Sequence, residues 1–359
     1  MPDWNIPRLR LANLGLSAGA FNRPEDVVAH VGALQGQDYL ASLWAVGSRL
    51  PGCTQAHVEV ALERGALVRS WPLRGTLHLV AAQDLGWMLD LLGPRNLARA
   101  AGRLRQLELD PKTLDRAMGL LAKALRPGPR SRPALFQALE RGGVSTEGQR
   151  GYHLLWVCAQ RGLICGVGRL GKQDAFALAE AWLPKTKARG KEAALAELAR
   201  RYFSGHGPAT VADFAFWTGL PLGEARLGLD LARAGLQARD QAGQTYWMGP
   251  KVPAEGRDWA GPRLAAGFDE CLLGYQDRGD VLEKADAPKA CPGGNGIFLP
   301  LLLRQGRVQG VWKRVLKAAT VRVELLPFRA LPKSEAGPLR AAAAAYAGFL
   351  GLELEPGFP

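Results

Sequence analysis

The chain of 359 residues has little cysteine. Cys53, Cys158, Cys165, Cys271 and Cys291 are scattered, odd in number and never spaced Cys-x-x-Cys. That excludes a disulfide framework, argues against a zinc site and leads us to expect a reduced, cytosolic protein. Histidine is as sparse: His30, His57, His78, His153 and His206 each stand alone. There is no His-x-Glu-x-x-His-type metal motif, no Gly-x-Ser-x-Gly elbow and no phosphate loop of the Walker type. We therefore expect neither a metal nor a cofactor. No apolar run approaches the roughly 20 residues of a membrane span. Met1-Pro2-Asp3-Trp4 lacks the basic start and apolar core of a signal peptide.

Acidic residues are also in short supply. Lys and Arg number 46 against 33 Asp and Glu, a net charge of +13. Such a balance points to a polyanionic partner, nucleic acid first and an acidic membrane second. The excess is clustered. Residues 95–132 hold ten basic and three acidic side chains, residues 185–201 six and two, and residues 304–317 five and none. Any one cluster reads most simply as a solvated helix face. Three of one sign, none offset by an acidic block, favour nucleic acid. Within the first cluster, Arg95, Arg99 and Arg103 recur every four residues and share one helical face that could track phosphates.

What is abundant is a repeated pattern of helices followed by a hairpin. Helices are predicted over 8–19, from Pro24 to about Leu34, over 40–49, and from Gln55 to Arg64 with Thr54 as N-cap and Gly65 as terminator. Residues 67–71 and 76–80 then alternate with period two around Pro72-Leu73-Arg74-Gly75, a hairpin with Arg74 near its tip. The order recurs with helices from Arg132 and Ser145 and strands at 163–168 and 174–178. It recurs again with helices over 191–204, from Thr210 and from Pro221, and strands at 236–239 and 245–248. Beyond Gly249-Pro250 short strands replace helices, including 297–304 and 307–312 around Gln305-Gly306, and 320–326. A last helix spans about 335–351. The expectation is a mainly helical α+β chain of three tandem winged-helix units, 1–93, 94–184 and 185–250. A small β-barrel or antiparallel sheet with a terminal helix follows over 251–359.

A winged helix binds duplex DNA through a helix and a basic hairpin, and it does not by itself imply catalysis. Among the histidines, His78 stands out because it alternates with Leu77 and Leu79 on a hairpin strand near Arg74. Two readings are open, a hydrogen-bonded half-buried ring, which is the commoner, or a group facing a groove. The remaining polar feature is Gln35-Gly36-Gln37-Asp38, at the end of an amphipathic helix. By frequency a Gln-x-Gln pair is a helix-capping element.

The segment Gly32-Ala33-Leu34-Gln35-Gly36-Gln37-Asp38-Tyr39 resembles the signature of the AlkZ-like DNA glycosylases, within the winged-helix AlkZ/YcaQ superfamily. Relatives of the YcaQ type carry Gln-x-Asp at this place. Four further stretches resemble the same superfamily, in the same order along the chain. They are Leu67–Trp71 with Arg74–His78, Gly207–Thr210 with Asp213-Phe214, Phe268-Asp269 with Gly274–Arg278, and Gly306–Val308 with Gly310–Trp312. The middle motif position, usually aliphatic or small in the family, is Gly36 here, and glycine loosens the backbone that aims the two amides.

The resemblance implies a monofunctional DNA repair glycosylase. It would hydrolyse the N-glycosidic bond of N7-alkylated purines and unhook interstrand crosslinks formed through purine N7. By motif position Gln35 and Gln37 are then catalytic, with Asp38 and His78 as candidate supporting groups. Arg74, Arg95, Arg99, Arg103, Arg304 and Arg307 are the candidate DNA contacts. Arg304 and Arg307 would lie near the lesion, or else are exposed turn arginines. With about three winged-helix units in one chain, a monomer acting on double-stranded DNA in the cytoplasm, at the nucleoid, is expected. The alternative is a winged-helix regulator without enzymatic activity.

Overall fold

The computed structural model describes residues 4–17, 21–250 and 261–358. Residues 18 and 19, the end of the first predicted helix, and 251–260, which open the fourth expected domain, lie outside the described residues. The chain forms two compact units, one of Met1–Val58 with Leu195–Pro359 and one of Glu59–Ala194. The division passes through the helices Gln55–Glu63 and Lys191–His206, so the units are larger than the four expected modules. No helix among the described residues is long and apolar enough to cross a membrane.

In the unit Glu59–Ala194, the hairpins predicted at 67–80 and 163–178 form, but not as separate wings. Strands His78–Ala81, Leu67–Ser70, Ile164–Leu170, Gln173–Leu178 and Arg130–Ser131 lie side by side in that order. The two hairpins join where Arg69 pairs with Gly166. A Cβ at Gly166 would come within 2.9 Å of the Arg69 carbonyl oxygen, so glycine is what permits the junction. The 25-residue helix Ala82–Gln106 buries Leu89, Leu92, Gly93, Asn96 and Leu104. At Gly93 a side chain would strike the Gln160 carbonyl at 2.8 Å. Asn96 Nδ2 donates to the Pro72 carbonyl at 2.9 Å, and Gln160 Nε2 to the Trp71 carbonyl at 2.6 Å.

The other unit holds two layers. One is helical, with Ile6–Asn13, Pro24–Val31, Tyr39–Gly47, Val211–Thr218 and Leu222–Ala232, followed by the hairpin Gln237–Gln241 and Gln244–Met248 as a two-stranded sheet of its own. The other is a five-stranded sheet in the order Glu353–Leu354, Thr320–Pro327, Arg307–Leu316, Leu301–Arg304 and Arg263–Ala265. All its pairings are antiparallel except the edge pair 320–327 with 353–354. A register shift between Leu302 and Leu303 bends it, and it stays an open, curled half-barrel. The terminal helix Ala336–Leu350 brings Tyr346 against Trp312 (4.7 Å between ring centres) and Trp44 (5.0 Å). Phe349 lies over Gly47, where a Cβ would sit 2.4 Å from its ring.

Two predicted helices end early, each at a left-handed glycine. The first stops at Asn13, and Gly15 (φ +74°) turns the chain against Phe21. The second stops at Val31, because Gly32 takes φ +90° beside the Trp217 ring. The five cysteines are free thiols and four are buried. Burial pushes Cys158 and Cys165 up to about 12, which makes them packing groups rather than nucleophiles.

Candidate active site

The early stop at Gly32 places the glutamine motif. Instead of ending a helix, Leu34–Gln35 is a short extended segment, and Gln37 follows two residues on in a bend. Leu34 and Gly36 are buried, Gln35 is half-buried and Gln37 exposed. Gln35 Nε2 donates to Gln37 Oε1 at 2.9 Å. That bond ties the amides into one unit and leaves the Gln35 carbonyl, a second lone pair on Gln37 Oε1 and the Gln37 NH₂ for other partners.

Asp38 closes the segment by capping the next helix. Its Oδ1 accepts the Ala41 N–H at 2.9 Å, the standard N-cap bond. Its Oδ2 faces Arg314 Nη2 at 3.6 Å. Arg314 was not singled out from the sequence. Its only signal there is membership of the basic cluster at 304–317. It lies on the strand Arg307–Leu316 opposite Val323. The motif helix itself is anchored below: Trp44 Nε1 donates to the Leu264 carbonyl at 2.7 Å. Burial pushes the neighbouring Tyr346 hydroxyl up to about 12, against the pull of Arg314, so Tyr346 stays neutral and serves packing.

The other superfamily stretches build the scaffold under this unit, as a buried polar network. Arg49 is fully buried and grips Asp269 with two hydrogen bonds of 2.8 and 2.9 Å. It also donates to the Leu14 and Ala45 carbonyls. Burial pushes the Asp269 carboxyl up, but the Arg49 charge and hydrogen bonds outweigh it and hold the group below its ordinary value. Asp213 forms a capping box with Thr210 and accepts the Gln276 N–H at 2.9 Å. Arg10 lies 3.9 Å over the Tyr275 ring and donates to the Pro208 carbonyl at 2.9 Å, after the cis Gly207–Pro208 bond. Glu270 accepts from Trp217 Nε1 at 2.8 Å and lies 3.3 Å from His206 Nε2.

The remaining candidates are spread over the two units. In the unit Glu59–Ala194, His78 is fully buried on its strand, with Nδ1 2.7 Å from the Thr76 carbonyl. It is a hydrogen-bonded core histidine and does not face a groove. Arg74 sits at the hairpin turn with φ +52°, next to Gly75. Arg95, Arg99 and Arg103 are exposed along the long helix, opposite its buried face. Arg103 donates to Gln106 and Gln149. In the other unit, Arg307 is exposed, while Arg304 is half-buried and bound through Nε to Glu335. Among the described residues no group of three His, Cys, Asp or Glu side chains converges to hold a metal ion.

The chain is similar to known proteins along most of its length. Residues 28–349 match the family described as DNA glycosylase AlkZ-like. The chain is 25% identical over 335 residues to the interstrand DNA cross-link repair glycosylase of Streptomyces sahachiroi, covering 88% of this chain and 90% of that protein. Its fold is similar to the solved structure of the Streptomyces sahachiroi DNA glycosylase AlkZ, with a TM-score of 0.80, 22% identity and 98% of each chain covered. Because the family match runs through most of the chain, the protein belongs to the AlkZ-like DNA glycosylase family.

Proposed function

We propose that the protein is a monofunctional DNA glycosylase that hydrolyses the N-glycosidic bond of N7-alkylated, cationic purines. Interstrand crosslinks through purine N7 are its larger substrates. The observation that carries this reading is the exposed Gln35–Gln37 amide pair, 2.9 Å between Nε2 and Oε1, on a segment held at both ends. The relative named for cross-link repair supports it.

Two neutral amides suit this substrate because the leaving group is already activated. A purine alkylated at N7 carries a positive charge, so when the bond from C1′ to N9 breaks, the electron pair neutralises the base. No acid is needed to help it leave. The sugar passes through an oxocarbenium-like state, and water adds at C1′ and then loses a proton to solvent. The Gln35 carbonyl and the second lone pair on Gln37 Oε1 accept hydrogen bonds from that water and aim it, a positioning contribution. Asp38, engaged as cap and facing Arg314, orients the segment rather than acting as the base.

Arg314 continues into Val315 and Leu316, both exposed. This strand gives the motif a cation and an apolar edge against DNA. An open surface of this kind suits a crosslink that cannot be flipped into a closed pocket. Arg74, Arg95, Arg99 and Arg103 add phosphate contacts on the other unit. We read the helix–hairpin modules as winged-helix elements serving a monomer on double-stranded DNA.

The test is incubation with duplex DNA carrying a single N7-methylguanine, followed by alkaline cleavage at abasic sites. Strand breaks at the lesion are expected. No breakage above background, together with tight sequence-specific binding to undamaged DNA, would make the protein a regulator instead.

A further inference from the structure

We infer that a cavity beside the hairpin Leu301–Arg304 and Arg307–Leu316 is a second DNA-contact site, which seats one phosphate of the strand with its attached nucleoside. The inference rests on the DNA substrate proposed above, yet the cavity shares no residue with the glutamine site. Its volume of about 380 Å³ falls within the range of ligand pockets, roughly 300–1,000 Å³.

The charge of the wall is what calls for a ligand. Arg8, Arg304 and Arg307 line the cavity. Arg304 and Arg307 are direct partners across the hairpin, and like charges in opposed positions destabilise a sheet. Glu335 offsets the charge of Arg304 but leaves that of Arg307 unmatched, and an anion between the two would relieve the repulsion. Arg8 and Arg307 make no ion pair among the described residues, while Glu335 holds Arg304 through Nε and so fixes its guanidinium. Asp280, the one acid among the described lining residues, faces the buried Arg10 at 3.3 Å. The balance on the wall is positive.

The walls are also preorganised. Gln305 and Gly306 both take left-handed φ, +50° and +78°, the two-residue turn that matches strand twist. That turn is docked: a Cβ on Gly306 would lie 2.2 Å from the Pro7 carbonyl oxygen. Across the cavity, Gln241 exchanges two hydrogen bonds with the Trp4 backbone, at 2.8 and 3.1 Å. A cradle held in place loses little entropy on binding. Arginines recognise phosphate oxygens in bidentate fashion, and the amides of Gln305 and Gln309 offer donors and acceptors for a sugar or base edge.

The experiment uses the full chain and an undamaged fluorescent duplex, titrated by anisotropy at a series of salt concentrations. The variants are Arg8→Gln, Arg307→Gln, Arg307→Lys and, as a control away from the cavity, Arg226→Gln. Each Gln substitution in the cavity is expected to weaken binding about five-fold and to lower the slope of log affinity against log salt by about one. Arg307→Lys keeps the charge and is expected to restore the salt slope while recovering only part of the affinity, which separates lost charge from lost folding, and Arg226→Gln to bind as the parent does. Inorganic phosphate is titrated alongside as a thermal-shift ligand. If phosphate stabilises the parent but the variants bind DNA unchanged, the site serves free phosphate and the DNA assignment is overturned. If neither DNA affinity nor phosphate stabilisation responds to the substitutions, there is no anion site. Because the duplex is undamaged and no excision is read, failure here is distinct from failure of the glycosylase reading.

Discussion

The unit that carries the glutamine motif holds two polar clusters of opposite character. One is the buried network of Arg49–Asp269, Arg10–Tyr275 and Asp213, paired and withdrawn from water. The other is the Gln35–Gln37 pair, neutral, half-buried to exposed, and bonded only enough to be aimed. Charged groups are the usual carriers of catalysis, yet those of the buried network are consumed by the fold. Removing Arg49 and Asp269 from water costs several kcal/mol per ion, offset only by their bidentate bond and further hydrogen bonds. Such a pair is already satisfied and has no capacity left for a substrate. The amides face water at little cost and keep free lone pairs. A substrate with a cationic leaving group can be served by the weaker cluster.

The comparison breaks hardest at Asp269. Asp269→Ala leaves a buried guanidinium without its partner and is expected to destabilise the protein by about 3–5 kcal/mol, read by urea denaturation. The same group predicts a pH dependence. Its carboxyl is held below the ordinary value in the folded protein, so its contribution is full above the unfolded carboxylate range, about pH 4. It is lost as pH falls through the lower folded value. In Asp269→Asn that part of the acid sensitivity should vanish.

Gln37→Ala tests the other side. It should cut excision of N7-methylguanine by about a hundred-fold, as loss of positioning can do, while melting temperature and DNA affinity hold. A collapse of affinity instead would assign Gln37 to structure. Asp38→Ala falls between the clusters. Loss of its N-cap should cost about 1 kcal/mol of stability, with a smaller loss of excision that Asp38→Asn restores, since asparagine caps equally well. Arg99→Gln, on an exposed helix face, should change stability by no more than about 0.5 kcal/mol. It should weaken binding evenly across DNA sequences and lower the salt slope by about one.

Much of this was legible in the residues. Period-two stretches around turn residues marked the hairpins at 67–80, 163–178 and 236–248, because alternation is a local property. The helix start at Thr210 was legible too, since caps are read from side chains three residues away. What escaped was non-local. The helix thought to reach Leu34 ends at Val31 because Gly32 is turned left-handed against Trp217, which is remote in sequence. That difference moves the glutamines from a helix end to an extended segment. The first two wings merge into one sheet through Arg69 and Gly166, 97 positions apart in the numbering. His78 sits buried where alternation left its side open. Arg314 meets Asp38 only because the strand Arg307–Leu316 is folded beside the motif helix.

The sequence by itself determined the elements, the basic character and, through its resemblance, the glutamine motif and the family. These depend on neighbours within a few residues or on signatures carried whole along the chain. Only the tertiary structure decided which polar residues are buried and paired and which stay exposed. Burial and pairing are set by partners distant in sequence, and a carboxylate or guanidinium reads the same in one dimension whether it ends in a core or in water.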